Sequence, residues 1–344
     1  MAADPVDSRS GGKDLRESVT VVVVPRERFS YTRQSVESIR HNTLLPFRWV
    51  YVDGGSPRPV ARYLRSASDR MGFDLVRRER YLTPNQARNL GFERVDTEYV
   101  VFVDNDVLVE PGWLEALVRC AQETGAVAVG PLYCIGLPAG TTVHMAGGEA
   151  SLHRKNGVLR LHELHRHQNL PVAQVEAHLV RSRCELIEFH CMLVRSSALR
   201  RLGPFDERLM NTREHIDFCL TLRAHGHDIW FEPASRLTYV APPPFAWGDV
   251  PYYLLRWSDQ WSRSTMRHFN AKWNLEDDSA QLIRNWIRPH RRAVFGRAPG
   301  IARRWLGRRL GSWVTRRVID CVERCVIARA RGKGAAPIER RPHA

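Results

Sequence analysis

The chain has 344 residues, enough to bury a substantial core as one large domain with appendages. Its seven cysteines are scattered and form no C-x-x-C pair, which argues against a disulfide framework or a zinc cluster and fits a reducing compartment. The net charge of +15 suggests nucleic acid until it is located: residues 281–344 hold 17 Lys and Arg against three acids, leaving 35 basic and 34 acidic residues elsewhere, so the body is near neutral and the tail carries the excess.

Residues 1–16 are small and polar and read as disordered. Ser18 to Val24 reads as a buried strand halted by Pro25, and a helix follows from Thr32 to about Asn42. Phe47 to Val52 is a second strand ending in Asp53-Gly54-Gly55-Ser56, where glycines let backbone and ligand approach closely. Arg58 to Met71 reads as a helix and Phe73 to Val76 as a third strand. Thr83-Pro84 opens a helix that presents Asn85, Arg88 and Asn89 and ends near Glu93.

Tyr99 to Val103 is a β-branched and aromatic run with no helical spacing, as expected of a central strand covered on both faces. It runs into Asp104-Asn105-Asp106, in the position where open α/β sheets bind ligands. Two carboxylates one residue apart repel unless they share a cation, and oxygen ligands suit Mg²⁺ or Mn²⁺; capping a turn is the simpler reading of the same residues. Both acids are expected in a surface loop. Helix Pro111 to Thr124 and strand Ala126 to Gly130 continue an alternation βαβαβαβαβ, the pattern of a mostly parallel central sheet with helices on both faces.

Residues 134–185 break this rhythm with five glycines and six histidines, and suggest an acceptor-binding loop or lid. A solvated helix face explains His162, His165 and His167 more simply than a metal site. Glu185 to Val194 reads as one strand, followed by a short helix near Ser197, a turn at Gly203 to Glu207, a helix from about Thr212 to Gly226, and strands at Asp228–Phe231 and Ser235–Val240. Trp247, Tyr252, Tyr253, Trp257 and Trp261 suit either packing or sugar stacking.

The order of these motifs resembles the family-2 glycosyltransferases with a GT-A fold, over roughly residues 18–260. The resemblance rests on the strand ending at Pro25, the Asp53 to Ser56 turn, the helix with Asn85, Arg88, Asn89 and Gly91, and Asp104-Asn105-Asp106 in the family's D-x-D position. It continues through Met192-Leu193-Val194-Arg195, Gly203 to Glu207, Glu214 to Leu220, and Phe231-Glu232-Pro233. It implies a nucleotide-diphospho-sugar transferase domain over residues 17–275; beyond it, the residues of 276–344 themselves read as a basic amphipathic helical tail. The resemblance implies a nucleotide-sugar donor held by Pro25, Asp53, Arg88, Asp104 and Asn105, with Asp53 reading the base and Arg88 facing the diphosphate. A Mn²⁺ or Mg²⁺ cofactor would sit on Asp104 and Asp106, and the acceptor would be a carbohydrate or a lipid-linked molecule.

Where the family usually has Glu-Asp, this chain has Glu214-His215, so the base that deprotonates the acceptor is Glu214, then His215, then Asp217 in order of preference. Tyr239 stands near the place where many relatives supply a metal-binding His. A sugar nucleotidyltransferase and a non-catalytic carbohydrate-binding domain are the competing readings.

No stretch approaches the ~18 apolar residues of a spanning helix, and the polar start is unlike a signal peptide, so the expected location is cytoplasmic, peripheral on the inner membrane face. Trp, Leu and Val recur at helical spacing among arginines between 283 and 330, which suits an anionic membrane surface better than nucleic acid.

Overall fold

The computed structural model describes residues 18–136, 139–241, 245–296 and 304–332; the expected disorder of residues 1–16 lies outside them. In chain order the elements are β1 (Val19–Val24), α1 (Thr32–Asn42), β2 (Arg48–Gly54), α2 (Arg58–Met71), β3 (Asp74–Arg78), α3 (Pro84–Phe92), β4 (Tyr99–Asp104), β5 (Val107–Val109) and α4 (Trp113–Thr124). They continue with β6 (Ala128–Ile135), β7 (Thr142–Met145), β8 (Gly148–Lys155), β9 (Val158–His165), α5 (Val172–Val175), β10 (Ser182–Cys184), β11 (Cys191–Arg195), α6 (Ser196–Leu202), α7 (Glu214–Ala224) and β12 (Ile229–Tyr239). The last helices are α8 (Val250–Arg256), α9 (Asp259–Trp273), α10 (Ser279–Leu282), a π-turn at Ile283–Ile287, α11 (Arg288–Arg292) and α12 (Arg308–Arg331).

The central sheet runs β10-β12-β6-β11-β4-β1-β2-β3, with β5 added to β12 and β7 to β6. The apolar runs of β1 and β4 are wholly buried and pair in parallel, Val19 opposite Tyr99 and Val24 opposite Asp104, and β2 and β3 extend the parallel half. Adjacent parallel strands bring their carboxyl ends to one edge, so Pro25, Asp53 and Asp104 all arrive there. Antiparallel β11 joins this half to a mixed one, in which β12 runs parallel to β6.

Local chemistry explains the helix bounds. Thr83 caps α3 by accepting the Gln86 N–H at 3.3 Å while Gln86 reaches back to the Thr83 N–H at 3.1 Å, and Pro84 occupies the first turn. Gly72 ends α2 in the left-handed conformation.

Three expectations change. The strand expected over 185–194 is only Cys191–Arg195, because Glu188 to Cys191 bends around Tyr133, whose hydroxyl lies 2.8 Å from the carbonyls of Glu188 and Cys191 and accepts the Glu188 N–H at 3.0 Å. The two strands expected at 228–231 and 235–240 are one, β12, whose register shifts between Glu232 and Arg236 so that Pro233 is accommodated. The segment expected to be irregular contains the hairpin β8–β9, turned by Asn156 and Gly157, both with positive φ.

The chain past 276 does not begin as a separate tail. Ile283 and Ile287 share a buried cluster with Tyr253 and Trp257, so the boundary expected at 275/276 falls inside the packed body. Tyr252, Tyr253, Trp257 and Trp261 are buried, which decides for packing; Trp247 is 93% exposed.

Candidate active site

Asp104 ends β4, and Asp106 follows two residues later. The pair expected in a surface loop is wholly buried, with zero exposure at Asp104, Asn105 and Asp106. The cover comes from the segment after β1 and from the end of β12. Asn105 builds part of that cover: its Oδ1 accepts the Arg26 N–H at 3.0 Å, and its Nδ2 donates to the Arg28 carbonyl at 2.8 Å and to Thr32 Oγ1 at 3.3 Å. The amide expected to touch the donor is therefore spent inside the protein, as a latch. Pro25, also expected at the donor, is buried at the start of the latched segment.

Asp104 is surrounded by two arginines and a histidine. Arg26 Nε lies 3.3 Å from Oδ2, Arg88 donates to Oδ1 at 3.4 Å, and His190 Nδ1 lies 3.1 Å from Oδ2. Burial would raise its pKa, but Arg26, His190 and Arg88 outweigh burial and hold it below the ordinary aspartate value. Asp106 is the opposite case. Neither oxygen has a hydrogen-bond partner among the described residues, and burial, with Asp104 beside it, pushes the carboxyl up to about 8. A buried carboxylate of this kind is costly without a cation, so the donor set fits a divalent ion with oxygen ligands.

Arg88, expected to face a diphosphate, is wholly buried. It donates to Asn85 Oδ1 at 3.0 Å, its guanidinium lies 3.9 Å from the Phe189 ring centroid, and burial brings its pKa down to about 10. It positions Asp104; the partly open arginine is Arg26, whose side chain is 14% exposed. Asn85 and Asn89 lock α3 to the turn at 203–207: Asn85 donates to the Asp206 carbonyl at 2.8 Å, and Asn89 accepts from the Phe205 N–H at 2.9 Å and donates to its carbonyl at 3.0 Å. Asp53 accepts from the Ser56 N–H at 3.0 Å and hydroxyl at 2.9 Å and is ion-paired to Arg77.

At the start of α7, Arg213 holds a positive φ of 65°, a strained conformation of the kind found where a side chain must be aimed. Glu214 follows, 2% exposed, with Oε1 3.4 Å from Arg256 and 3.9 Å from Arg26, and with Oε2 unpartnered among the described residues. Burial would raise Glu214, but Arg256, Arg26 and Arg88 hold it below the ordinary glutamate value. His215 Nε2 lies 3.8 Å from Glu188 Oε1, and burial lowers its pKa, which favours neutral imidazole. Asp217 does not join them. Lys272 Nζ at 2.7 Å and Trp273 Nε1 at 2.8 Å engage its two oxygens, which ties α7 to α9.

The model of the glycosyl transferase family 2 matches residues 20–202. The chain belongs to this family. Relatives include the pre-mycofactocin glycosyltransferase of Mycobacterium tuberculosis, 30% identical over 226 residues that cover 64% of this chain and 42% of that protein. The O-antigen biosynthesis protein RfbC of Myxococcus xanthus is 27% identical over 227 residues, 64% of this chain and 17% of that protein. The chain thus spans less than half the length of these curated relatives. Among solved structures, GalNAc-T7 with UDP, GalNAc and Mn²⁺ superposes with a TM-score of 0.51 at 16% identity, over 81% of this chain and 55% of that one. The shared fold is the GT-A fold.

This member of family 2 also gathers residues that the sequence reading missed. His144 on β7 and Glu188 and His190 before β11 offer ligand atoms within 4.8 Å of one another beside Asp104. Glu188 and His190, two apart in an otherwise apolar run, were the available signal. The grouping of His162, His165 and His167 does not form among the described residues: His162 is exposed on strand β9, not on a helix, and His165 turns to Glu163 at 3.3 Å.

Proposed function

We propose that the chain is a cation-dependent, inverting glycosyltransferase that moves a sugar from a nucleoside diphosphate to a hydroxyl of a carbohydrate or lipid-linked acceptor. The single observation that carries the reading is Asp106, a buried carboxylate with no partner of its own, two residues after Asp104 at the end of the central strand. Mn²⁺ or Mg²⁺ held by these two acids would supply positive charge where negative charge develops on the departing diphosphate. Arg26, partly open and 3.3 Å from Asp104, adds to that charge, and buried Arg88 keeps the Asp104 carboxylate in place. Asp53, already neutralised by Arg77, reads the nucleotide base. Glu214 takes the acceptor proton through its unpartnered Oε2, and His215 is the alternative base.

The basic C-terminal segment holds the enzyme against an anionic membrane surface. In support, Trp305, Leu310 and Trp313 are 81%, 54% and 58% exposed among arginines. No described helix is long and apolar enough to cross a membrane.

Thermal shift with nucleoside diphosphates, with and without Mn²⁺, tests the donor reading, because a ligand bound only by the folded state raises Tm. UDP and Mn²⁺, present in the GalNAc-T7 structure, are the first probes. The expected result is a Tm increase that needs both. Release of pyrophosphate from a nucleoside triphosphate and a sugar phosphate would instead favour a nucleotidyltransferase. No response to any nucleotide overturns the reading.

A further inference from the structure

The transfer chemistry leaves Glu188 unused, although it is a buried carboxylate beside the site. It is 7% exposed and sits in the bend pinned by the Tyr133 hydroxyl. Gly130 permits that pin: a Cβ there would stand 2.8 Å from the Tyr133 hydroxyl and 2.7 Å from Ile187 Cβ. Around Glu188 stand four imidazoles. Oε2 lies 2.8 Å from His144 Nε2 and 3.5 Å from His190 Nε2, and Oε1 lies 3.8 Å from His215 Nε2 and 4.0 Å from His165 Nε2.

Two of these rings approach the same carboxylate oxygen, and His144, Glu188 and His190 offer three ligand atoms within 4.8 Å of one another. The Nδ1 of His190 lies 3.1 Å from Asp104 Oδ2, and with the proton on that nitrogen the Nε2 lone pair is left toward Glu188. The ring is held by stacking on Tyr239 with centroids 4.0 Å apart. A lone pair and a carboxylate oxygen then face each other at 3.5 Å in a buried site, an arrangement that a cation between them stabilises. A carboxylate behind a histidine with the other ring nitrogen free is the usual support of a metal-bound imidazole.

We propose that His144, Glu188 and His190 form a second cation site, separate from Asp104 and Asp106, that takes a borderline divalent ion of the Zn²⁺ type. Metal–nitrogen and metal–oxygen bonds of about 2.0–2.2 Å place neighbouring ligands on the order of 3–3.5 Å apart, and the spacings of His144 and His190 to Glu188 Oε2 bracket that range. Two imidazoles and a carboxylate select Zn²⁺ or Co²⁺, whereas the oxygen-only pair selects Mg²⁺ or Mn²⁺, so the two sites need not compete for one ion. Three protein ligands leave a coordination position open, as in catalytic rather than structural zinc sites.

The test uses the full chain stripped with chelator, desalted, and titrated with Co²⁺ and then Zn²⁺. The expected result is one retained Co²⁺ per chain with visible d–d absorption that Zn²⁺ displaces. Both signals should vanish in His144→Ala and in Glu188→Gln and persist in Asp106→Asn. His144 has a side chain 17% exposed, so His144→Asn provides a second variant if a truncation unfolds. Wild-type protein that retains no Co²⁺ or Zn²⁺ overturns the proposal. So does retention in all the His144 and Glu188 variants. Loss in Asp106→Asn would merge the two sites into one and overturns it as well. Loss in His153→Ala/His162→Ala would place the ion on the β8–β9 hairpin, where those rings are 6.2 Å apart, with the same consequence. None of these readouts needs a sugar donor, so they stand or fall apart from the transferase reading.

Discussion

The hydroxyl of Tyr239 donates to Glu27 Oε2 at 2.5 Å and joins the end of β12 to the segment after β1. Glu27 is 1% exposed, and its other oxygen accepts from Trp257 Nε1 at 3.1 Å and lies 3.4 Å from His290 Nε2. Tyr239 and Glu27 thus form a strut that closes the Arg26 segment over the acids and ties it to α11.

This strut predicts a pH-dependent stability. Burial would raise the Glu27 pKa, but His290, Arg26 and Arg256 hold it far below the ordinary value of about 4.3. A folded-state pKa below the unfolded one gives stability that is full above about pH 4.3 and lost as pH falls through the folded value. Glu27→Gln should therefore cost on the order of 1–3 kcal/mol at neutral pH, and less at about pH 3. Urea unfolding at both pH values checks it; an unchanged difference would count against the account.

Asp106→Asn should abolish transfer and still fold. Loss of one charge-stabilising group costs roughly 10²–10³ in rate, and loss of a metal ligand more. The amide is neutral, like the protonated carboxyl that burial favours when no cation is bound, so the chelator-treated variant should melt close to chelator-treated wild type, and added Mn²⁺ should raise only the wild type. Wild-type turnover in the variant, or full activity in excess chelator, sinks the metal reading.

These two cases mark what the sequence conveys. The bounds of α2 and α3 were legible because caps, proline and glycine act within a few residues. The strand-end acids were legible because a buried run followed by Asp-x-Asp is a local pattern. Their burial was not, since their cover comes from Arg26, Arg28 and Tyr239, distant in sequence. Glu188 and His190 were hidden in an apolar run that reads as strand until Tyr133 bends it. The β8–β9 hairpin had its signal in Asn156-Gly157, outweighed by the surrounding histidines and glycines.

Gly91 on α3 offers a packing test. A Cβ there would overlap Val22 Cγ1 of β1 and stand 3.2 Å from Val52 Cγ2 of β2. Gly91→Ala should destabilise by about 1–3 kcal/mol, because the helix must lift from β1 and β2, the strands that deliver Pro25 and Asp53. Thermal unfolding measures it, and an unchanged melting temperature would mean that α3 is not seated on β1.

Glu214→Gln should lower turnover far more than donor binding, because a base acts on the acceptor in the transition state and not on the nucleotide. Single-turnover kinetics alongside nucleoside diphosphate affinity separate the two effects. If His215→Ala is the inactive variant and Glu214→Gln is nearly normal, the base is the imidazole.

The last prediction concerns α12. Its C-terminal half is docked: Ile327 and Ala330 pack on the cluster of Phe29, Tyr81 and Tyr252, while Glu323 pairs with Arg291 at 2.8 Å and Asp320 with Arg292 at 3.0 Å. Truncation after Ala280 would therefore strip Ile283 and Ile287 from Tyr253 and Trp257 and confound any binding assay. Substitution of the exposed apolar residues is the cleaner test. Trp305, Leu310 and Trp313 make little use of the folded body at 81%, 54% and 58% exposure, so Trp305→Ser/Leu310→Ser/Trp313→Ser should keep the wild-type melting temperature. Each arginine near an anionic surface contributes on the order of 1 kcal/mol, and the apolar side chains add burial beneath the headgroups. Wild type should co-sediment with phosphatidylserine vesicles, less so as salt rises, and the triple variant should stay in the supernatant. Equal recovery of both proteins in the supernatant, with or without vesicles, would show that the arginines are simply solvated.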